Sequence, residues 1–137
     1  MTKAKTYKKH PDKKTEWKDD AKRFVLYADL MGFSNRVTFS RHKDLKKELQ
    51  RFKNLWQNRI SPLEKSNHIK SVQFSDSILI VANGTSQKMF NLITKAAVCL
   101  MQSAIKQNFP IKGVLAQGEF SYDKENELYF GLPLVEA

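Results

Sequence analysis

The sequence has a single cysteine, no long hydrophobic run and few acidic residues. Cys99 alone cannot form an internal disulfide framework, and its apolar neighbours predict a buried thiol in a reducing compartment. No apolar run approaches the ~18 residues that cross a bilayer, and the polar N-terminus lacks the hydrophobic stretch of a signal peptide. These absences exclude a disulfide-stapled scaffold and predict a cytoplasmic protein that does not insert into membranes.

Acidic residues number 14 against 24 lysines and arginines, which gives a net charge of +10 among 137 residues. Such a surface attracts phosphates, nucleic acid or acidic membranes, and charge alone does not choose among them. Residues 1–23 hold nine basic and four acidic residues, so this segment carries +5, half of the total. We predict a basic, mobile arm over 1–23 and one domain over 24–137, so the charge is weak evidence for nucleic-acid binding.

The hydrophobic periodicity beyond the arm changes from element to element. It predicts five strands and two amphipathic helices. The strands are expected at 24–29, 69–74, 78–82, 111–120 and 128–130, and the helices at 41–60 and 86–107, with Pro62 just past the first helix and Ile105 on the apolar face of the second. The order β-α-β-β-α-β from 24 to 120 is that of a ferredoxin-like α+β fold, with a central antiparallel sheet and helices on one face. Right-handed crossovers then place the first and third strands side by side.

This strand order brings two aspartates together. Asp29 ends the first strand, and Asp76 lies in the turn that leads into the third strand. Taken singly, Asp29 could cap a helix and Asp76 could be an ordinary turn residue. Because two carboxylates held close repel unless a cation lies between them, the pair predicts a hard divalent metal with oxygen ligands. The glycine turn at 30–34 can direct backbone N–H groups at phosphate, so metal and phosphate together indicate a nucleoside triphosphate.

Four segments in this order resemble the class III nucleotide cyclases. The first is an apolar strand that ends in Asp, two residues, Gly, Phe and Ser. The second is a hairpin with Asp at the second metal-ligand position, and the third is a strand with the basic-x-Gly-x-x-x-Gly pattern. The fourth is similar to the segment where the family starts its next helix. They are residues 24–34, 72–81, 112–119 and 129–137.

The resemblance implies a cyclase that converts a nucleoside triphosphate to a 3′,5′-cyclic nucleotide and pyrophosphate in a head-to-tail homodimer. It implies that Asp29 and Asp76 are catalytic ligands of two Mg²⁺ or Mn²⁺ ions, with the Leu30 carbonyl as a further ligand. It also implies that Gly32, Phe33 and Ser34 face the triphosphate through their backbone amides. Phe33 has an equally good interpretation as a core residue.

Two departures from the family concern the base of the substrate. Val72 and Leu128 stand where purine cyclases carry polar base-reading side chains, and neither can hydrogen-bond a purine edge. The Phe-Ser-Asp-Ser hairpin is more similar to the bacterial pyrimidine cyclases of antiphage defence, which make cyclic UMP or cyclic CMP. This likeness implies UTP or CTP as substrate and a role in antiphage signalling.

A third departure concerns the end of the chain. Val135 stands where the family carries its transition-state asparagine, and the matching arginine would follow Ala137. The resemblance therefore implies a C-terminally truncated cyclase domain that could bind metal and be inactive alone.

Two alternatives to an active cyclase stay open. A degenerate cyclase homologue would act through dimerisation only. An RNA-binding module of the RRM type has the same strand order, and residues 25–30 resemble its short motif. However, the third strand has no aromatic residue on which a base could stack, which disfavours RNA. The turn at 75–77 also lacks the acidic signatures of diguanylate cyclases and polymerase palms.

Overall fold

The first strand of the chain lies at the centre of the sheet. A computed structural model describes residues 16–135, in which five antiparallel strands follow the order β2-β3-β1-β4-β5. The elements are β1 (Asp20–Leu30), α1 (Phe33–Phe39), α2 (His42–Lys65), β2 (Ile69–Phe74), β3 (Ser77–Ala82), α3 (Gln87–Lys106), β4 (Ile111–Asp123), β5 (Leu128–Gly131) and α4 (Leu132–Val135). The predicted α+β fold with β1 beside β3 is confirmed, and β4 is the other neighbour of β1.

Each face of the sheet has its own hydrophobic cluster because strand residues alternate between faces. The larger cluster lies under α2 and α3, where Leu26 and Ala28 of β1 meet Trp56 and Ile93 of the helices. The smaller cluster, on the opposite face, contains Val25, Leu79, Val81, Phe120 and Tyr122. The Tyr122 hydroxyl donates a buried hydrogen bond of 2.9 Å to the Ser71 carbonyl, and burial raises the pKa of Tyr122.

Helix α2 is longer than predicted, and the prediction that Pro62 lies just past its end is wrong. The proline lies inside the helix, which ends at Lys65. An internal proline removes one backbone hydrogen bond, at a cost of ~3 kcal/mol. Ile60 is 1% exposed, and Leu63 packs against the larger cluster, so hydrophobic contacts on both sides of Pro62 hold the last turn against the sheet.

Helix α3 has the predicted amphipathic character, with two differences. Its start is capped by Ser86, whose hydroxyl accepts a hydrogen bond from the Met89 N–H. Cys99 is half-buried instead of fully buried, and Ile105, predicted on the apolar face, is 74% exposed. Neither α3 nor any other helix within 16–135 combines the length and apolarity required to cross a membrane.

Part of the segment assigned to the arm packs on the domain. β1 starts at Asp20, four residues before the predicted strand, and Trp17 lies edge-on to Tyr122 at 5.6 Å between ring centroids. The Arg23 guanidinium stacks 4.5 Å from the Trp17 ring and donates to the Lys18 carbonyl. Desolvation lowers the pKa of Arg23, although Asp19 and Asp20 oppose this shift. The remaining arm residues, 1–15, lie outside the described residues.

Gly131 is required by close packing between β4 and β5. A Cβ atom at Gly131 would lie 2.8 Å from Phe120 Cδ2 and 2.9 Å from Phe120 Cα, and closer still to the Glu119 carbonyl oxygen. We expect Gly131→Ala to lower the free energy of unfolding by about 3 kcal/mol, measured by urea denaturation. Gly32→Ala is the control, because a Cβ there meets open space and only the left-handed φ of 69° opposes it, at about 1 kcal/mol. Equal losses in the two variants would contradict the steric explanation.

Candidate functional site

Asp29 and Asp76 lie at one edge of the sheet, where β1 ends and β3 begins. Asp29 is the register partner of Ser77, the residue after Asp76. The Leu30 N–H donates a hydrogen bond of 2.9 Å to the Asp76 carbonyl, which fixes the hairpin turn against the end of β1. The two aspartates, 47 positions apart in sequence, are therefore neighbours as the strand order predicts. Their role as metal ligands stays a prediction.

The Asp29 carboxylate accepts hydrogen bonds from two strands. The Tyr27 hydroxyl, two residues earlier on the same face of β1, donates to Asp29 Oδ1 at 3.1 Å. The Ser77 hydroxyl donates to the same oxygen at 3.0 Å. Sequence reasoning did not identify either hydroxyl, although the i, i+2 spacing of Tyr27 and Asp29 would have placed both on one face of a strand.

The turn that carries Asp76 is supported by α2. Ser75 has a left-handed φ of 57°, and its carbonyl accepts a hydrogen bond of 3.3 Å from the Gln73 side-chain amide. The Gln73 side-chain oxygen in turn accepts from Trp56 Nε1 at 3.2 Å. Trp56 is fully buried, so the turn is connected through Gln73 to the centre of the larger cluster. No local sequence signal reveals this connection, because it joins two elements that only the fold brings together.

The glycine turn after β1 leads directly into α1, a helix the sequence did not predict. Gly32 has a φ of 69° and precedes the first helical residue, Phe33, whose side chain packs partly against the larger cluster. Ser34 is exposed. The Leu30 side chain is 3% exposed, so only the carbonyl of that residue could reach a metal.

Contacts with the α3–β4 connection hold this turn in place. The Met31 N–H donates to the Pro110 carbonyl at 2.8 Å. Arg36 of α1 donates to the Asn108 carbonyl at 3.2 Å, and its guanidinium lies 4.3 Å from the Phe109 ring centroid. Arg36 is thus a supporting residue that sequence reasoning missed, since nothing in its sequence neighbourhood indicates contact with residue 108.

The surroundings of Asp29 combine negative and positive charge. Lys112 is the register partner of Asp29 in β4, and a cavity of about 260 Å³ is lined by Tyr27, Asp29, Lys112, Gly113 and Val114. Within residues 16–135, no group of three or more His, Cys, Asp or Glu residues could hold a metal. An ion at this edge would thus be held by the two carboxylates, and its other ligands would be carbonyl, phosphate or water oxygens, an arrangement that suits Mg²⁺.

The two expected base-reading positions are apolar. Val72 is partly buried against the smaller cluster. Leu128 begins β5 and is 52% exposed. Neither side chain has a hydrogen-bonding group.

The fold matches solved guanylyl cyclase domains. The structure aligns with the guanylyl cyclase Cya2 at a TM-score of 0.59 and 14% identity, over 86% of this chain and 68% of that one. It aligns with the monomeric guanylyl cyclase domain of the RhoGC fusion protein from the aquatic fungus Blastocladiella emersonii at 0.64 and 17%, over 90% and 75%. A non-canonical dimeric form of the RhoGC domain aligns at 0.51 and 17%, over 75% and 62%.

Neither of two sequence comparisons finds a relative. No protein-family model matches this sequence, and no curated protein is similar to it. The fold is therefore identified by structure alone. The chain has the fold of these guanylyl cyclase domains.

Proposed function

We propose that the protein is a nucleotide cyclase that converts a nucleoside triphosphate to a 3′,5′-cyclic nucleotide and pyrophosphate. The observation that carries this proposal is the placement of Asp29 and Asp76 at one sheet edge within the cyclase fold. Two carboxylates brought together at this position offer the hard oxygen ligands that a divalent cation prefers.

The residues at this edge suit two Mg²⁺ or Mn²⁺ ions. Mg²⁺ in proteins is commonly bound by one or two carboxylates together with substrate phosphates and water. Asp29 and Asp76 would hold the ions, with the Leu30 carbonyl as a further ligand. Bound there, the ions would supply activation of the ribose 3′-hydroxyl and neutralisation of charge on the α-phosphate and pyrophosphate. We assign the backbone amides of Gly32, Phe33 and Ser34 to the triphosphate on the family resemblance.

We propose UTP or CTP as the substrate and antiphage signalling as the role. Val72 and Leu128 support a base other than a purine, because neither can donate or accept a hydrogen bond at a purine edge. The Phe-Ser-Asp-Ser hairpin at 74–77 supports the pyrimidine enzymes by its resemblance to them. The half-buried single cysteine supports a reducing, cytoplasmic location.

We also propose that the active form is a homodimer. Val114 and Phe74 lie on the same face of the sheet as Asp29, since the β1–β4 and β2–β3 registers pair them with Tyr27 and Ser77. Both are exposed, Phe74 by 81%. Apolar side chains beside the site favour a second subunit that covers this face. Sedimentation of the protein at several concentrations tests the dimer.

The cyclase activity is tested by incubation with each of the four ribonucleoside triphosphates and Mn²⁺, with products identified by mass spectrometry. The assay uses the 137-residue protein and any longer form that includes residues after Ala137. We expect a cyclic pyrimidine nucleotide, and a loss of at least about 10²-fold in rate for Asp76→Asn because an electrostatic ligand is removed. Asp44→Asn, on the exposed side of α2, is the matched control and should retain the wild-type rate.

The alternatives give different results in the same assay. A cyclic purine product would contradict the pyrimidine assignment. An unchanged rate in Asp76→Asn would overturn the two-metal site. Mn²⁺ binding without turnover of any triphosphate would favour the degenerate homologue, and salt-dependent RNA binding that ignores Mn²⁺ would favour the RNA-binding module.

A further inference from the structure

Tyr27, Ser77 and Asp29 form a closed group of three oxygens at the end of β1. The two hydroxyl oxygens lie 3.1 and 3.0 Å from Asp29 Oδ1 and 3.1 Å from each other. Each hydroxyl carries one hydrogen. An ionised carboxylate is the strongest acceptor of the three, so both hydrogens are best directed at Oδ1.

The two hydroxyl donors give the two oxygens of the Asp29 carboxylate different surroundings. Within the described residues, both side-chain hydrogen bonds to the Asp29 carboxylate end on Oδ1. The terminal torsion of an aspartate is soft, so an isolated carboxylate rotates easily. Two donors from adjacent strands, one of them a rigid phenol, restrict that rotation. Oδ2 is consequently the oxygen available to a cation.

We propose that Tyr27 and Ser77 are positioning residues that hold Asp29 for one-oxygen coordination of a small divalent cation. This inference rests on the proposed metal site at Asp29 and assigns a role to two residues outside it. With Oδ1 occupied by hydroxyl donors, Asp29 binds an ion through Oδ2 alone. That geometry suits Mg²⁺ and Mn²⁺, which demand near-octahedral ligands, and disfavours Ca²⁺, which accepts two-oxygen carboxylate ligation at longer distances.

The physical origin of the effect lies in the sheet. Ser77 is the register partner of Asp29, and Tyr27 lies two residues earlier on the same face of β1. The positions of both hydroxyls are therefore fixed by strand pairing, not by a flexible loop. A support of this kind around a metal ligand typically changes metal affinity by 10–100-fold when removed.

The test is titration of Mn²⁺ and of Ca²⁺ into the 137-residue protein, with free Mn²⁺ followed by electron paramagnetic resonance and Ca²⁺ by calorimetry. For Tyr27→Phe combined with Ser77→Ala, we expect Mn²⁺ binding to weaken by about tenfold and the preference for Mn²⁺ over Ca²⁺ to fall. Ser77→Thr keeps the hydroxyl and should retain wild-type Mn²⁺ affinity. Near-ultraviolet circular dichroism verifies the fold of each variant.

A matched control comes from the other end of β1. Ser121 of β4 donates to Asp20 Oδ1 of β1 at 2.6 Å, a serine–aspartate contact of the same kind as the one that Ser77 of β3 makes with Asp29. Ser121→Ala should leave both metal affinities unchanged. Wild-type Mn²⁺ affinity and selectivity in the double variant would overturn the positioning role.

The experiment separates the failure of this inference from the failure of the proposed function. If the wild-type protein shows no saturable Mn²⁺ binding, or if Asp29→Asn binds Mn²⁺ as the wild type does, the metal site itself is wrong and both proposals fall. If Mn²⁺ binding depends on Asp29, Tyr27 and Ser77 but no triphosphate is cyclised, the positioning role stands and the cyclase proposal fails.

Discussion

Asp29→Asn should remove cyclic nucleotide formation, with a loss of about 10³-fold in rate under conditions where the wild type is active. The amide is nearly the same size as the carboxylate, and its oxygen still accepts hydrogen bonds from Tyr27 and Ser77. The variant therefore folds normally but lacks the negative charge that binds the cation. The rate is measured as cyclic product formed per protein at saturating Mn²⁺ and triphosphate.

A thermal denaturation experiment accompanies this rate measurement. A ligand that binds only the folded state raises the melting temperature, so Mn²⁺ should stabilise the wild type and have little effect on Asp29→Asn. Without metal, the variant should be close to the wild type in stability, because the amide keeps the size and the hydrogen-bond acceptor of the carboxylate. Asp20→Asn, on the same strand and beside its own serine partner, is the control and should behave as the wild type. Substantial turnover by Asp29→Asn would contradict the assigned role.

Trp56→Ala should cause the largest loss of stability, about 4 kcal/mol of unfolding free energy. Trp56 is fully buried in the larger cluster, and its indole N–H donates to Gln73. The substitution leaves a cavity and leaves the Gln73 side-chain oxygen without its indole donor. Because domains are typically stable by only about 5–15 kcal/mol, this loss is at least about a quarter of the total unfolding free energy. Urea denaturation followed by far-ultraviolet circular dichroism measures the loss.

The same substitution has a second expected effect at the hairpin. Gln73 also donates to the Ser75 carbonyl, next to Asp76, so loss of the indole should loosen the turn. Trp56→Phe retains most of the volume and should lose about 1–2 kcal/mol, mainly from the unpaired amide oxygen. Asn54→Ala, exposed on the same helix, should change stability by less than about 0.5 kcal/mol. A loss in Trp56→Ala no larger than that of Asn54→Ala would contradict the packing described for α2.

The fold was predictable to the extent that each element had a periodic pattern. The continuous apolar runs in β1 and β3 and the helical spacing in α2 and α3 predict the elements, and the sheet order follows because few topologies satisfy β-α-β-β-α-β. Helix α1 was not predicted because it has only seven residues and none of them is buried. The extension of α2 past Pro62 was missed because the breaking effect of proline was not weighed against burial of the surrounding residues.

The site was predictable only in its charged residues. Asp29 and Asp76 could be paired from topology, since any chain with this strand order juxtaposes the end of β1 and the start of β3. The residues that support them, Tyr27, Gln73 and Arg36, act through hydrogen bonds whose existence depends on side-chain directions. Such contacts leave no spacing pattern in a single sequence. The partial exposure of Cys99 and Ile105 was missed for a similar reason, because periodicity identifies a helix face without revealing how far the sheet extends beneath it.

The central place of β1 has a consequence for how the protein is made. Among the five described strands this one leaves the ribosome first, yet the serine partner of Asp29 lies 48 residues later and that of Asp20 lies 101 residues later. At ordinary rates of synthesis, about 5–20 residues per second, β1 stays unpaired for seconds, with both edges open to other chains. Lys18, Lys22 and Arg23 precede its apolar core, where flanking charges oppose self-association. The middle of the sheet is therefore synthesised first, and its second edge is covered only after β4 has been made.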